Sequence, residues 1–450
     1  MNNNRITKLI GLAALLGAAL TTTAFAQDAA IQSKKLPLSL LRKMSPHAAR
    51  SSATFAKAGQ AKRSTMKTAA TSGIPGIDSV VNWSDQFTAP GFDSNGNAQS
   101  VWPYTMVGNS PESGRSANIT APIVPVAIDL LAQDGTVAIF NGKPLSFGPG
   151  ADVLHDVVAS PIFQPFIYTS GIGQLNDQIQ RAEFWNRFPH SHEHESDDFE
   201  DGWHTNLIPK VRTARRIQVP FGSWFFFTDA NNNPSLAAVD ANAFGGLLFP
   251  ATSPVDNSTP IGAAELAGDI TTHDISTFLF KDVVLYGGGN INNCCIIGFH
   301  SFDFEPGDKK NGNRDRLYVM NYSSWLSPGL FAFGFEDITP WSHELAETFN
   351  DPFGNNATPW WLSVDNVLGS GKCQNNLEDG DVIEVLDSAS PTYSIAMNGR
   401  TYHPQNEALF NWFAFQSPSQ AHLGAYSFPD ETTLPALSPG NLLPGCTPAP

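Results

Sequence analysis

From about residue 76 onward the chain alternates short apolar runs with Gly, Pro and Asn breaks. The runs SVWPYTMVG (100–108), APIVPVAIDLLA (121–132), TVAIF (136–140), RIQVPFGSWFFF (216–227), TFLFKDVVLY (277–286), CCIIGFHSF (294–302) and RLYVMNY (316–322) are β-branched and aromatic. Bounded as they are by turn residues, they predict strands. Two stretches carry helical spacing instead. In 171–188, Ile172, Leu175, Ile179, Ala182 and Phe184 fall acceptably on one helix. In EDITPWSHELAETFNDP (336–352), Trp341, Leu345 and Phe349 recur every four residues and form one apolar stripe. Thr339 suits an N-cap, Pro340 then falls at the first helical position, and Pro352 forces an end. The pattern predicts a single β-rich α+β domain over 76–450, with long loops and few helices.

The first 75 residues read differently. Arg5 and Lys8 precede the apolar run IGLAALLGAAL and then Ala24-Phe25-Ala26. This is the layout of a signal peptide over 1–26, cleaved after Ala26, and it predicts a secreted or periplasmic protein. No later run reaches 18 apolar residues, so no integral membrane segment is expected. Residues 27–75 carry nine Lys/Arg against the single Asp28 and little apolar periodicity. They read as a basic disordered linker or a pro-segment. Residues 76–450 then hold fifteen basic and forty-one acidic residues, a net of −26. Such a surface repels nucleic acid and anionic membranes and suits metal cations. The four cysteines are Cys294, Cys295, Cys373 and Cys446. Export favours disulfides, and neighbouring cysteines bridge each other only with strain, so one of the adjacent pair is expected to reach Cys373 or Cys446.

The predicted helix at 336–352 also carries chemistry. His343 and Glu347 lie four apart and stack on a face away from the apolar stripe, reading H-E-x-x-E from His343. Two ligands one turn apart can hold one divalent cation, zinc first among the choices, with Glu344 placed to take a proton from bound water. A carboxylate in place of a second imidazole makes the site less zinc-specific. The plain alternative is an exposed helix whose polar face is merely solvated. A third ligand must come from elsewhere, and CQNNLEDGDVIE offers Glu378, Asp379 and Asp381 around a Gly-centred turn. Glu378 reaches further from a loop than Asp381.

The order WPYTMVGN, SPIF, QRAEFWN, CCIIGFH, WSHELAETFNDPF, NLEDGD and TYHPQ resembles a group of secreted bacterial HExxE proteins of poorly characterised function. The chain is more distantly similar to the plant phosphate-induced, EXORDIUM-like proteins. Those groups carry an H-E-[ILV]-x-E helix followed by N-P or D-P, then an acidic E-x-G-D element. Here these are His343 to Glu347, Asp351-Pro352 and Glu378 to Asp381. The resemblance implies a zincin-like, metalloprotease-type domain with one active-site helix. It also implies that Glu378 or Asp381 closes a site on His343 and Glu347, with Glu344 as base.

The resulting expectation is an exported metal-dependent hydrolase acting on a peptide or other extracellular polymer. His403, in TYHPQ, could help stabilise a transition state, as could Tyr402. A binding or cell-surface protein that keeps the metal fold without catalysis is the competing reading. A glycosidase using Glu344 and Glu347 is a third, handicapped because adjacent helix positions seldom oppose two acids across a bond. Elsewhere, PHSHEHESDDFEDGWH (189–204) gathers His190, His192, His194 and His204 among acids with no fixed geometry. DANNNPSLAAVD (229–240) imitates a calcium loop but has Pro234 where the sharp turn needs Gly. No G-x-S-x-G or P-loop occurs.

Overall fold

A computed structural model describes residues 28–44, 77–93, 96–188, 202–250, 255–331, 334–362, 373–386 and 391–434. Residues 1–26 and the histidines at 190, 192 and 194 lie outside these. The chain forms a strand-rich mixed α+β structure around a curled, mostly parallel sheet. We label the elements that matter here. The strands are β1 (Lys35–Pro37), β2 (Ala117–Leu130), β3 (Thr205–Val211), β4 (Arg215–Val219), β5 (Trp224–Thr228), β6 (Pro234–Asp240), β7 (Ile275–Lys281), β8 (Val283–Tyr286), β9 (Cys294–Ile296), β10 (Gly298–Glu305) and β11 (Asp315–Trp325). The helices are α1 (Leu175–Glu183), α2 (Thr339–Asn350) and α3 (Asp379–Leu386).

The main sheet runs β3-β2-β7-β11-β10, with β4 adding to the far half of β2. Its pairs are parallel except for the last, so β10 is an antiparallel strand against β11, with His300 opposite Asn321. The second sheet runs β1-β5-β6-β8-β9. Long β-branched and aromatic runs therefore became strands buried on both faces, as parallel pairing requires. Val126, Ile128, Phe226, Val239, Phe280 and Leu285 belong to one core shared by the two sheets. The chain passes from β7 to β8 at Asp282, whose φ of 53° makes the bend. The Asp282 carboxylate holds that corner by accepting from the Ser327 N–H at 2.7 Å and the Ser327 hydroxyl at 2.8 Å.

Four sequence expectations need correction. Residues 28–44 are not a detached linker. β1 pairs in parallel with β5, and Ile31 and Leu41 are buried in the two cores. The basic residues accommodate this at the rim, with the Lys34 ammonium 4.6 Å from the Phe225 ring centroid and Lys35 Nζ donating to Asn232 at 2.8 Å. The remainder of that segment, 45–75, lies outside the described residues. The helix expected from residue 171 starts only at Leu175, because Gly171–Gly173 pairs as a strand with Phe166–Tyr168. The acidic turn at 378–381 is the start of α3. Cys294 and Cys295 bridge each other across a cis peptide that brings their Cα atoms to 3.0 Å, so neither reaches Cys373 or Cys446.

Candidate metal centre

The sequence of α2 dictates two faces, and both are buried. Trp341, Leu345 and Phe349 pack with Ile338, Leu317, Val319 and Phe353 beside the main sheet. Trp341 also meets the Phe163 ring edge-on, with centroids 5.5 Å apart. Pro340 sits in the first turn, but Thr339 is the first helical residue and not the cap. Its hydroxyl instead lies 2.7 Å from the Glu336 carbonyl and 2.5 Å from that of His403, tying the helix start to two loops. Asp351 ends the helix, and its carboxylate accepts from the N–H groups of Asn355 and Asn356. All twelve residues are buried, so a solvated polar face does not describe this helix.

The polar face meets β10, α3 and the strand Glu407–Ala408. His343 Nε2 lies 3.0 Å from Glu347 Oε1 and 3.8 Å from Asp381 Oδ1, while its Nδ1 is 3.7 Å from Glu384 Oε1. His300, from the middle of β10, places Nδ1 3.1 Å from Glu347 Oε2, 3.7 Å from Glu344 Oε2 and 3.9 Å from Glu378 Oε2. His343, Glu344, Glu347 and Glu378 are 0 % exposed. The structure thus brings together His343, Glu344, Glu347, Glu378 and Asp381. It adds three residues that sequence reasoning missed: His300, Glu384 and Glu407. His300 had a signal, being the one histidine inside the predicted strand runs.

Two glycines make this crowding possible. A Cβ on Gly298 would fall on the Glu344 carboxyl, 2.6 Å from its Cγ. A Cβ on Gly380 would fall on the His343 ring, 2.6 Å from its Cγ. Gly380 was expected to serve a sharp turn; it lies within α3, and its role is close approach.

Carboxyl groups outnumber imidazoles in this interior. Two imidazoles face Glu344, Glu347, Glu378, Asp381, Glu384 and Glu407. Burial raises the carboxyls of Glu378, Glu384 and Glu407 well above the usual range. Burial also lifts Glu344 to about 7, against the pull of His300 and His343. At Glu347 burial opposes ionisation too, but the imidazoles of His343 and His300 on its two sides hold it below the usual range. Both ring nitrogens of His343, both carboxyl oxygens of Glu344 and both of Glu407 have no hydrogen-bond partner. Leaving buried polar atoms so costs about 1–3 kcal/mol each, more where they are charged.

The side chains gathered here could hold a divalent cation. Nitrogen and oxygen ligands about 2.1 Å from an ion in tetrahedral array stand about 3.4 Å apart. The contacts of 3.0 to 3.9 Å around Glu347 bracket that spacing. A set this rich in carboxylate suits zinc, manganese or iron, so the donor atoms fit the group without selecting among them. Glu384, beside the other His343 nitrogen, stands where a carboxylate orients a ligating imidazole.

The other candidates lie apart. His403 Nδ1 is 2.8 Å from Asp337 Oδ2 and 3.2 Å from Glu336 Oε1, a separate and partly exposed group. The Tyr402 hydroxyl donates to the Asp156 carbonyl at 2.9 Å. His204 is paired with Asp177 of α1 at 2.8 Å. Asp229 caps its own loop, accepting from the N–H groups of Asn231 and Asn233. Comparison with known proteins found no matching family model, no matching curated protein and no matching solved structure.

Proposed function

We propose that this chain is an exported, metal-dependent hydrolase of zincin-like type, whose divalent ion is held by residues converging on Glu347. The observation that carries the reading is Glu344. It is fully buried, has no hydrogen-bond partner, and sits between both histidines in space left by a glycine. A carboxyl so placed does nothing for stability, and beside a metal-bound water it would stand where a general base is needed. The bound ion would polarise a carbonyl and acidify a water. His343, Glu347 and one of Glu378 or Asp381 would hold it. Glu344 would take the proton of the attacking water and return it to the leaving group. Export rests on the signal-like residues 1–26, and a peptide or other extracellular polymer as substrate rests on the sequence resemblance.

Complete enclosure supports a second reading, in which a closed centre stabilises the fold and turns nothing over, as closed metal sites do. One experiment separates the two. Wild type and Glu344→Gln are dialysed, analysed for metal, and assayed on a mixed peptide library read by mass spectrometry. Hydrolysis by wild type, lost by about 10²–10⁴-fold in a Glu344→Gln protein that keeps its metal, is the expected outcome. A metal-loaded wild type that cleaves nothing the variant spares supports the closed centre.

A further inference from the structure

Glu347 faces two ways. Its Oε1 is 3.0 Å from His343 Nε2, and its Oε2 is 3.1 Å from His300 Nδ1. If one ion served the whole cluster, both imidazole nitrogens would approach a single point. Two nitrogens each about 2.1 Å from one ion can be at most about 4.2 Å apart. The candidate ligand atoms do not assemble that way. Those lying within 4.8 Å of one another fall into two triads, His343–Glu344–Glu347 and His300–Glu347–Glu378, which share only Glu347. No triad contains both histidines.

We propose that the centre is binuclear, with Glu347 as a bridging carboxylate between one ion on His343 and a second on His300 and Glu378. This rests on the reading that the polar face of α2 binds divalent metal. Each ion receives one imidazole and one Glu347 oxygen. The His300 ion adds Glu378, and the His343 ion adds Asp381, whose Oδ1 is 3.8 Å from His343 Nε2. The fold supports the arrangement from three directions. α2 carries the bridge, β10 carries His300, and α3 with the residue before it carries Glu378 and Asp381. Bridged pairs of this kind, about 3.5–4 Å apart, are suited to displacement at phosphoryl or acyl centres, because one ion holds the nucleophile and the other the leaving oxygen.

The test uses the full chain, stripped by chelator dialysis and reloaded with Mn(II). Bound metal is counted by mass spectrometry after gel filtration, and the spin state is read by electron paramagnetic resonance. The expected result is about two ions per chain and a spin-coupled pair in place of the spectrum of an isolated ion. His300→Ala and His343→Ala should each lose one ion and the coupling, whereas Glu347→Gln should weaken both sites. Saturation of the wild type at one ion per chain, or His300→Ala retaining two, overturns the binuclear centre. Binding of no Mn(II), Zn(II) or Co(II) at all overturns instead the metal reading beneath it. The wild-type count needs no variant, so a substitution that prevents folding does not leave the question open.

Discussion

β10 serves two acidic interiors from its two faces, and they resolve their charge differently. Gly298 and His300 point to α2, while Asp303 and Glu305 point to the other side, where Glu265 of the helix Pro260–Ala267 meets them. The alternation is that of any strand. On the second face, burial raises the Glu265 carboxyl to about 10 and that of Asp303 to about 7, and the two lie within 4.8 Å of one another. Protons alone can neutralise that group, with Arg316 near Glu265 assisting. The first face adds what the second lacks, two buried imidazoles, His300 and His343, each about 3 Å from a Glu347 oxygen. Buried carboxylates by themselves therefore indicate little. The metal centre proposed above rests on their combination with the two imidazoles of His300 and His343.

The comparison breaks most easily at the metal. Chelation, or His343→Ala, should lower the stability of the whole chain, because binding free energy is also folding free energy. The loss should be about 4 kcal/mol for an ion present at a thousandfold its dissociation constant. Glu265→Gln should keep its metal-dependent stability intact. Thermal unfolding with and without chelator reads both, and an equal response of the two variants would erase the distinction.

A smaller effect should follow from filling either glycine. Gly298→Ala presses on Glu344 and Gly380→Ala on His343. Each should cost about 1–3 kcal/mol by overpacking. Metal affinity should fall by about 10–100-fold, as when a supporting neighbour is disturbed. Equilibrium dialysis against a coloured chelator measures the second quantity, and unchanged affinity would mean that neither ring nor carboxyl is held where we place it.

The second face should answer to pH through its own two carboxyls. Glu265 and Asp303 bind their protons more tightly in the folded than in the unfolded state. Their contribution is therefore most favourable below the ordinary carboxylate range and is lost as pH rises through about 7 and towards about 10. Glu265→Gln should flatten that decline and gain about 1 kcal/mol at pH 8, with little change at pH 4. Denaturant midpoints across that range decide it; a parallel decline in both proteins would exclude proton sharing as the cause.

The smallest effect is expected at His403. It lies with Asp337 and Glu336, apart from both triads around Glu347. His403→Ala should leave the ion count unchanged and cost about 1 kcal/mol through its lost hydrogen bond to Asp337. Loss of an ion in that variant would join the two groups into one site.

What the amino-acid sequence determined by itself is local. The four-residue spacing of Trp341, Leu345 and Phe349, the proline in the first turn and the one after Asp351 specify α2 and the stacking of His343 over Glu347. β-branched runs specify the strands, since side-chain period and turn residues act within a few positions. Only the tertiary structure decided who stands opposite. His300 ends the segment CCIIGFH, which says nothing of its partner, and its place beside Glu347 comes from β10 lying under α2. Glu384 and Glu407 read as ordinary acids of an acidic chain until α3 and the strand Glu407–Ala408 close over the helix. Gly380 suggested a turn because an acidic Asp-Gly-Asp stretch favours one locally, yet packing against His343 needed a helix with a missing Cβ. Spacing along the chain governs neighbours on one element, whereas ligation and burial are settled between elements, by distances that no sequence separation encodes.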